Sequence, residues 1–198
     1  IIYYAEHNDL YINIKNMKVI FLGRKSDSYS KKILKILKKK YKSVDYVLSK
    51  KIGDKLPQKF NKQYDIAYSF RSYILLKPIF LKKIKKFKIN FHPAPPKYRG
   101  TASVSMALKN NDKLFGCTAH FITKKIDYGK IIEVKKFAIK KNEKLSSVLM
   151  KTHKESYKQA VRIINLIYKN NNNTDKLFPK SKYKWSKKYF SIKNINKK

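Results

Sequence analysis

The chain has 198 residues, 42% hydrophobic and 14% aromatic, which predicts one globular domain with a buried core and excludes intrinsic disorder. It carries 49 basic and 12 acidic residues, but only four are arginine, which favours a solvated lysine coat over a phosphate-reading surface. The lone Cys117 excludes an internal disulfide and a cysteine-based zinc site, and no apolar run is long enough to span a membrane.

The first half of the chain alternates predicted strands and helices. Residues 1–16 have no clear period and are predicted to be a disordered or non-native leader, because Met17 opens the first apolar strand, MKVIFLG. Further strands are predicted at residues 44–48, 64–70 and 88–91. Helices are predicted from a cap at Asp27 or Ser28 to about Tyr41, and from Pro78 through the sequence PIFLKKIKK.

The second half predicts a helix at residues 101–110, two paired strands at 116–123 and 131–139, and a long helix at 145–168. Residues 170–198 are predicted to be a linker and a short tail, rich in lysine and aromatics, that docks Trp185 on the domain. Together the elements predict an α/β fold. It is a doubly wound, mostly parallel Rossmann-like sheet with helices on both faces and an antiparallel strand pair towards the C-terminal half.

Three polar residues are the candidates for chemistry. Asn90 and His92 project from the same face of a strand, at its carboxyl end, because side chains alternate along a strand. An amide can hold the oxygen of a tetrahedral intermediate, and an imidazole can stabilise charge or move a proton at neutral pH. Asp127 follows on a later loop and could tune His92 and accept a proton through water. We call Asn90, His92 and Asp127 the trio.

The motifs around the trio resemble those of the folate-dependent formyltransferase family. N-x-H-P is followed by P-x-Y-x-G at residues 90–100, and G-x-T-x-H is followed by D-x-G-x-I at residues 116–131. The family includes glycinamide ribonucleotide, methionyl-tRNA and nucleotide-sugar N-formyltransferases. The resemblance implies a catalytic domain at residues 17–169 that moves a formyl group from 10-formyltetrahydrofolate to a primary amine, without a metal. The trio would be the catalytic residues.

The resemblance also assigns the residues around the trio. The cofactor would bind against Phe70, Arg71, Ser72, Tyr73, Ile74 and Leu75, and against Ile126 and Tyr128 beside the aspartate. Thr118, His120 and Gly129 would support the aspartate loop. Lys97, Tyr98, Arg99 and Gly100 are weaker candidates for binding the substrate, with a solvated loop as the alternative for Lys97 and Arg99.

Two departures from the family pattern bear on the acceptor. Ala94-Pro95-Pro96 stands where the family usually has Ser-Leu-Leu-Pro, so the loop beside the cofactor could differ in shape. No glycine-rich phosphate loop follows Gly23, which weakens an assignment to purine synthesis.

The leading hypothesis is therefore formylation of a nucleotide-linked amino sugar. Methionyl-tRNA formylation, with tRNA as partner, is the alternative that the positive charge would suit. A catalytically degenerate RNA-binding protein of the same fold is the third hypothesis. The sequence shows no secretory leader, so we expect a cytoplasmic protein, and a homodimer is left open.

Overall fold

The computed structural model describes residues 14–170, 177–179 and 181–191. Most of the predicted leader and parts of the predicted linker and tail lie outside this range. Eight strands are described: β1 Lys18–Arg24, β2 Ser43–Ser49, β3 Tyr64–Phe70, β4 Ile84–His92, β5 Arg99–Gly100, β6 Leu114–Phe121, β7 Ile131–Ala138 and β8 Tyr189–Phe190. The α-helices are α1 Ser28–Lys40, α2 Pro78–Leu81, α3 Ser103–Lys109 and α4 Leu145–Lys169. Short 3-10 turns lie at Ile14–Asn16 and Gln58–Phe60.

Six strands form one mixed sheet in the order β2-β1-β3-β4-β6-β7. The first four are parallel, whereas β6 is antiparallel to β4 and β7 is antiparallel to β6. The predicted fold class, including the antiparallel pair, is confirmed. Since the order of the parallel strands reverses between β1 and β3, their carboxyl ends border the crevice where open α/β sheets bind ligands.

Helices cover the two faces of the sheet unequally. On one face α1 and α4 bury the main apolar cluster, whose strand residues include Phe21, Tyr68 and Phe91. On the other face the short α2 contributes Phe80 and Leu81 to a smaller cluster. The core strands carry apolar residues on both sides of the sheet, so neighbouring side chains of one strand enter different clusters.

The helix predicted from Pro78 is too long. It ends at Leu81, and Ile84 already opens β4, which runs to His92. Apolar residues at 80, 84 and 87 have a helical spacing, but Ile84 packs with the α2 cluster and Phe87 with the α1 and α4 cluster. The register of β4 against β3 shifts between Ile84 and Phe87, so regular alternation begins only at Phe87 and the start of the strand has a helical spacing.

The helix starts illustrate how local chemistry fixes the elements. Asp27, one of the two predicted candidates, caps α1, with Oδ2 accepting a hydrogen bond from the Ser30 N–H at 2.8 Å. Gly100 has a φ of 95°, and a Cβ there would lie 2.2 Å from the Phe190 carbonyl oxygen. Glycine at this position therefore permits the unpredicted pairing of β5 with β8. Across the described residues no helix is long and apolar enough to cross a membrane.

Candidate active site

The carboxyl end of β4 carries two members of the trio. Asn90 and His92 lie two residues apart on the strand that pairs with β3 on one side and β6 on the other. The antiparallel register of β6 sets His120 opposite Asn90 and Thr118 opposite His92. Thr118 is fully buried, and its hydroxyl donates to the Ala94 carbonyl oxygen at 2.7 Å, which holds the turn after His92. The sheet therefore gathers four side chains from two segments that are distant in sequence.

Asp127 reaches the site from the loop between β6 and β7. Its φ is 45°, a left-handed conformation that aspartate tolerates better than most residues. Gly129 is required beside it, because a Cβ there would lie 1.8 Å from the Phe121 carbonyl oxygen. Arg99, only 4% exposed, holds the loop by donating from Nε to the Asp127 carbonyl oxygen and from Nη2 to the Ile126 carbonyl oxygen, both at 2.8 Å.

The trio converges in the structure. Asp127 Oδ1 lies 3.5 Å from Asn90 Nδ2, and Asp127 Oδ2 lies 3.4 Å from His92 Nδ1. His120 joins them, since its Nε2 lies 3.1 Å from Asn90 Nδ2 and 3.5 Å from Asp127 Oδ1. The Gly100 N–H also donates to Asp127 Oδ2 at 3.2 Å. The two imidazoles and the carboxylate are buried, while Asn90 is partly exposed.

The hydrogen bonds fix which ring nitrogens carry protons. His92 Nε2 lies 2.9 Å from the Tyr98 carbonyl oxygen, which can only accept, so Nε2 is protonated. His120 Nδ1 likewise donates to the Phe121 carbonyl oxygen at 2.9 Å. His120 Nε2 is then free to accept from the Asn90 amide. A second proton on His92 has only Nδ1 to occupy, and it would lie between the imidazole and the Asp127 carboxylate.

The surroundings of Asp127 favour its ionised form. Burial by itself raises the pKa of this carboxyl, but His92 and His120 outweigh burial, and the Gly100 N–H adds to their effect. The pKa of Asp127 is therefore well below its ordinary value. At neutral pH the site holds a buried carboxylate between two imidazoles. Such a group can orient an imidazole and receive a proton.

The segment assigned to the cofactor begins at the end of β3, next to Asn90 on the neighbouring strand. Phe70 is buried, whereas Leu75 is 66% exposed. Arg71 has a φ of 54° and forms an ion pair with Asp27, so the chain turns sharply as it leaves the sheet. The segment is fixed further by two hydrogen bonds: Tyr73 N–H donates to Ser49 Oγ at 3.0 Å and Ile74 N–H donates to Ser72 Oγ at 3.1 Å.

Apolar surface is also exposed on the Asp127 loop. The Ile126 and Tyr128 side chains are 39% and 40% exposed on either side of the aspartate. Lys125 Nζ lies 3.9 Å from the centre of the Tyr128 ring, and the Arg99 guanidinium lies 4.6 Å from it. The Tyr128 ring thus already stacks with two cationic side chains, and its exposed part adds aromatic surface beside the aspartate.

The four residues assigned to the substrate divide into two groups. Arg99 and Gly100 contact Asp127 directly, as described above. Lys97 instead forms an ion pair with Asp112 at 2.8 Å, and the hydroxyl of the fully buried Tyr98 donates to the same carboxylate at 2.7 Å. The Tyr98 backbone reaches the trio through His92. The structure thus brings Arg99 and Gly100 to the trio and leaves the Lys97 and Tyr98 side chains beside Asp112.

Trp185 is a site residue that sequence reasoning did not place. It docks on the domain as predicted, but it docks against the trio: its Nε1–H donates to the Gly129 carbonyl oxygen at 2.7 Å. The centre of the indole lies 5.0 Å from the His120 ring and 6.0 Å from the His92 ring. No local sequence pattern predicts these contacts, because they join the tail to the middle of the chain.

Two findings complete the description of the site. In the parts of the chain that the structure describes, no three His, Cys, Asp or Glu side chains are grouped so as to hold a metal ion. Residues 72–164, which include the whole trio, match the sequence model of the family described as Formyl transferase. This segment therefore matches the formyltransferase family, and the predicted resemblance is confirmed.

Two curated relatives share part of the chain. A methionyl-tRNA formyltransferase of Mycoplasmopsis pulmonis is 30% identical over 123 residues, which are 57% of this chain and 42% of that protein. A trifunctional purine biosynthetic protein adenosine-3 of Chironomus tentans is 32% identical over 94 residues, 46% of this chain and 7% of that protein. The chain thus spans less than half the length of either relative.

A solved structure shares the fold over most of the chain. It is the crystal structure of an N-formyltransferase from Helicobacter canadensis in complex with folinic acid and dTDP-3-aminofucose. The TM-score is 0.72 at 21% sequence identity, and the match covers 91% of this chain and 72% of that one. At this level of identity the likeness concerns the fold.

Proposed function

We propose that this chain transfers the formyl group of 10-formyltetrahydrofolate to a primary amine. The observation that carries the proposal is the convergence of the trio: Asp127 lies within 3.5 Å of both Asn90 and His92. An amide N–H, an imidazole and a carboxylate are the groups that formyl transfer requires when the acceptor brings its own nucleophile. The match to the family over the same residues supports the assignment.

Each member of the trio has a distinct role in the proposed reaction. Asn90 donates through Nδ2 to the formyl oxygen, on which negative charge develops, and His92 with a second proton on Nδ1 stabilises the same charge. Asp127 accepts the proton that the amine nitrogen loses as it bonds to the formyl carbon. When the carbon–nitrogen bond of the donor breaks, its nitrogen takes up the proton that Asp127 received, giving tetrahydrofolate and the formamide. The Asn90 amide, held by His120 and Asp127 in this structure, must turn towards the substrate.

The donor is proposed to lie between the segment after β3 and the Asp127 loop. Exposed Leu75 on one side and Ile126 and Tyr128 on the other offer apolar and aromatic surface for its planar ring. The Helicobacter protein with the same fold was crystallised with folinic acid, which supports a folate donor.

The proposed acceptor is a nucleotide-linked amino sugar. The Helicobacter structure contains dTDP-3-aminofucose, and this chain has no glycine-rich loop after Gly23 for the phosphate of a ribonucleotide. Methionyl-tRNA is the second candidate. The Mycoplasmopsis relative and the net charge of +37, which would attract RNA at low salt, favour it.

The test is a screen of acceptors with the purified chain and 10-formyltetrahydrofolate. A dTDP-linked amino sugar, methionyl-tRNA and glycinamide ribonucleotide are each added, and tetrahydrofolate release is followed. We expect release with the amino sugar; release with methionyl-tRNA alone would select the second candidate. No release with any acceptor, together with salt-dependent RNA binding, would favour the degenerate RNA-binding protein. The homodimer and the cytoplasmic location remain predictions.

A further inference from the structure

We propose that Trp185 is a positioning residue of the site: its indole holds His92, His120 and the Asp127 loop in the arrangement that the reaction needs. The kinetic part of this proposal rests on the proposed function. Its structural part does not, and can be tested without any substrate.

The backbone around Trp185 is held firmly against the loop that follows β4. The Ser186 N–H donates to the Pro96 carbonyl oxygen at 3.0 Å, and Arg99 Nη1 donates to the Ser186 carbonyl oxygen at 3.3 Å. Tyr189 and Phe190 then pair in parallel with Arg99 and Gly100. Because Arg99 and Gly100 also hold Asp127, the tail and the aspartate loop share the same supports.

The indole contacts both the loop that carries Asp127 and the two histidines of the site. Its single N–H donates to the carbonyl oxygen of Gly129, two residues after Asp127. Its ring meets His120 nearly edge to face, at an interplanar angle of 85°, and meets His92 at 60°. Aromatic rings prefer such geometry, and a large rigid ring restricts the rotation of its neighbours.

The two imidazoles need a rigid neighbour to keep their ring orientation. Each uses one ring nitrogen on a backbone carbonyl oxygen and turns the other towards the carboxylate. A ring flip would place carbon atoms where these nitrogens now lie, and His120 would then offer Asn90 a C–H group instead of an acceptor. Trp185 fills the space that a flipping ring or an entering water would use, and water exclusion strengthens the electrostatic interactions that remain.

The test compares three variants of the full chain. Trp185→Ala removes the ring and the N–H, whereas Trp185→Phe keeps a ring and removes the hydrogen bond. Tyr183→Ala is the matched control, because Tyr183 lies two residues earlier in the tail and its ring contacts Lys136. If Trp185→Ala fails to fold, Trp185→Phe carries the comparison.

The first readout is the tautomeric state of the histidines, from nitrogen NMR of chain labelled at histidine. We expect the wild type and Tyr183→Ala to show His92 protonated at Nε2 and His120 protonated at Nδ1. In Trp185→Ala both should become mixtures of tautomers, and His153 on α4 should keep its signals. Unchanged tautomers in Trp185→Ala would overturn the proposal, whatever the enzyme assay shows.

The second readout is the split between kcat and KM for the amino sugar or methionyl-tRNA reaction. Misplacement of reacting groups by a fraction of an ångström is expected to lower kcat by about 10- to 100-fold in Trp185→Ala. Trp185→Phe should lose less, and KM for the folate donor should stay within about twofold. An equal loss of kcat in Tyr183→Ala would show that the tail acts only by general stability, and the positioning role would be wrong.

Discussion

His92 and Asp127 face one another across the site, with Nδ1 of the imidazole 3.4 Å from Oδ2 of the carboxylate. Since His92 Nε2 is committed to the Tyr98 carbonyl oxygen, any proton that His92 gains lies on the side of Asp127. The two residues are therefore coupled through this contact and should act as a unit.

Acting as a unit predicts a non-additive double variant. Asp127→Asn and His92→Gln should each lower kcat by about 10²- to 10⁴-fold, the usual range for a positioned acid or base. The double variant should be no slower than the worse single variant by more than about threefold, because the second change removes a group that has already lost its partner. Rates of tetrahydrofolate release measure this. Asp54→Asn, in the loop after β2, is the control and should keep the wild-type rate.

The lowered pKa of Asp127 predicts how stability changes in acid. Its folded pKa lies below that of the unfolded chain, which is about 3.9, so the stabilisation is complete above that value. The stabilisation is lost as the pH falls through the folded pKa, because the buried carboxylate must then take a proton. Asp127→Asn should therefore lose less stability than the wild type between about pH 5 and pH 2, as measured by urea unfolding. If the unfolding free energy of the two proteins fell with the same slope against pH, the assignment of Asp127 as a buried carboxylate would be contradicted.

His153 on α4 predicts a second pH range, above that of Asp127, over which the stability of the fold changes. Burial lowers its pKa from 6.5 to about 4, and the nearby Arg71 and Arg24 guanidinium groups act in the same direction against Asp27. The folded state thus keeps the ring neutral where the unfolded chain takes a proton. Stability from this group is complete above pH 6.5 and is lost as the pH falls towards about 4. His153→Gln should show a shallower decline in urea midpoint between about pH 7 and pH 5, and a steeper one would reverse the sign of this argument.

The planar fork of Arg99 predicts that lysine cannot replace it. Two of its nitrogens donate to the Asp127 and Ile126 carbonyl oxygens, and the residue is buried. Lysine has one nitrogen and cannot span both carbonyls, so Arg99→Lys should cost about 1.5–3 kcal/mol of unfolding free energy and should also lower kcat. Arg162→Lys is the matched control, since Arg162 is half exposed in its ion pair with Glu133. It should stay within about 0.5 kcal/mol of the wild type in the same denaturation experiment.

Sequence reasoning succeeded where one local pattern had one physical cause. The strand at Tyr64–Phe70 has the predicted bounds, and the cap at Asp27 follows from the chemistry of a helix start. Asn90 and His92 were expected together because the period of a strand is two. Asp127 was a candidate from its residue type and its loop, and the resemblance to a family strengthened that assignment, because no local pattern says where a loop returns.

What could not be predicted depended on contacts between distant segments. Arg99 was a candidate for binding the substrate, and the hydrogen bonds from its guanidinium to the backbone of the Asp127 loop were not predicted. The pairing of β5 with β8 brings Trp185 to the histidines, and two-residue strands leave no period to detect. The end of α2 was misjudged because the register of β4 shifts between Ile84 and Phe87, which interrupts at its start the alternation that marks a strand.

The most direct test of the central claim follows the one-carbon unit itself. 10-Formyltetrahydrofolate labelled with carbon-13 in the formyl group is mixed with the chain and the amino-sugar or tRNA acceptor, and carbon NMR follows the label. We predict that the signal moves from the donor to a formamide on the acceptor with the wild type, and stays on the donor with Asn90→Ala, His92→Gln or Asp127→Asn. Transfer at the wild-type rate by all three folded variants would contradict the role given to the trio.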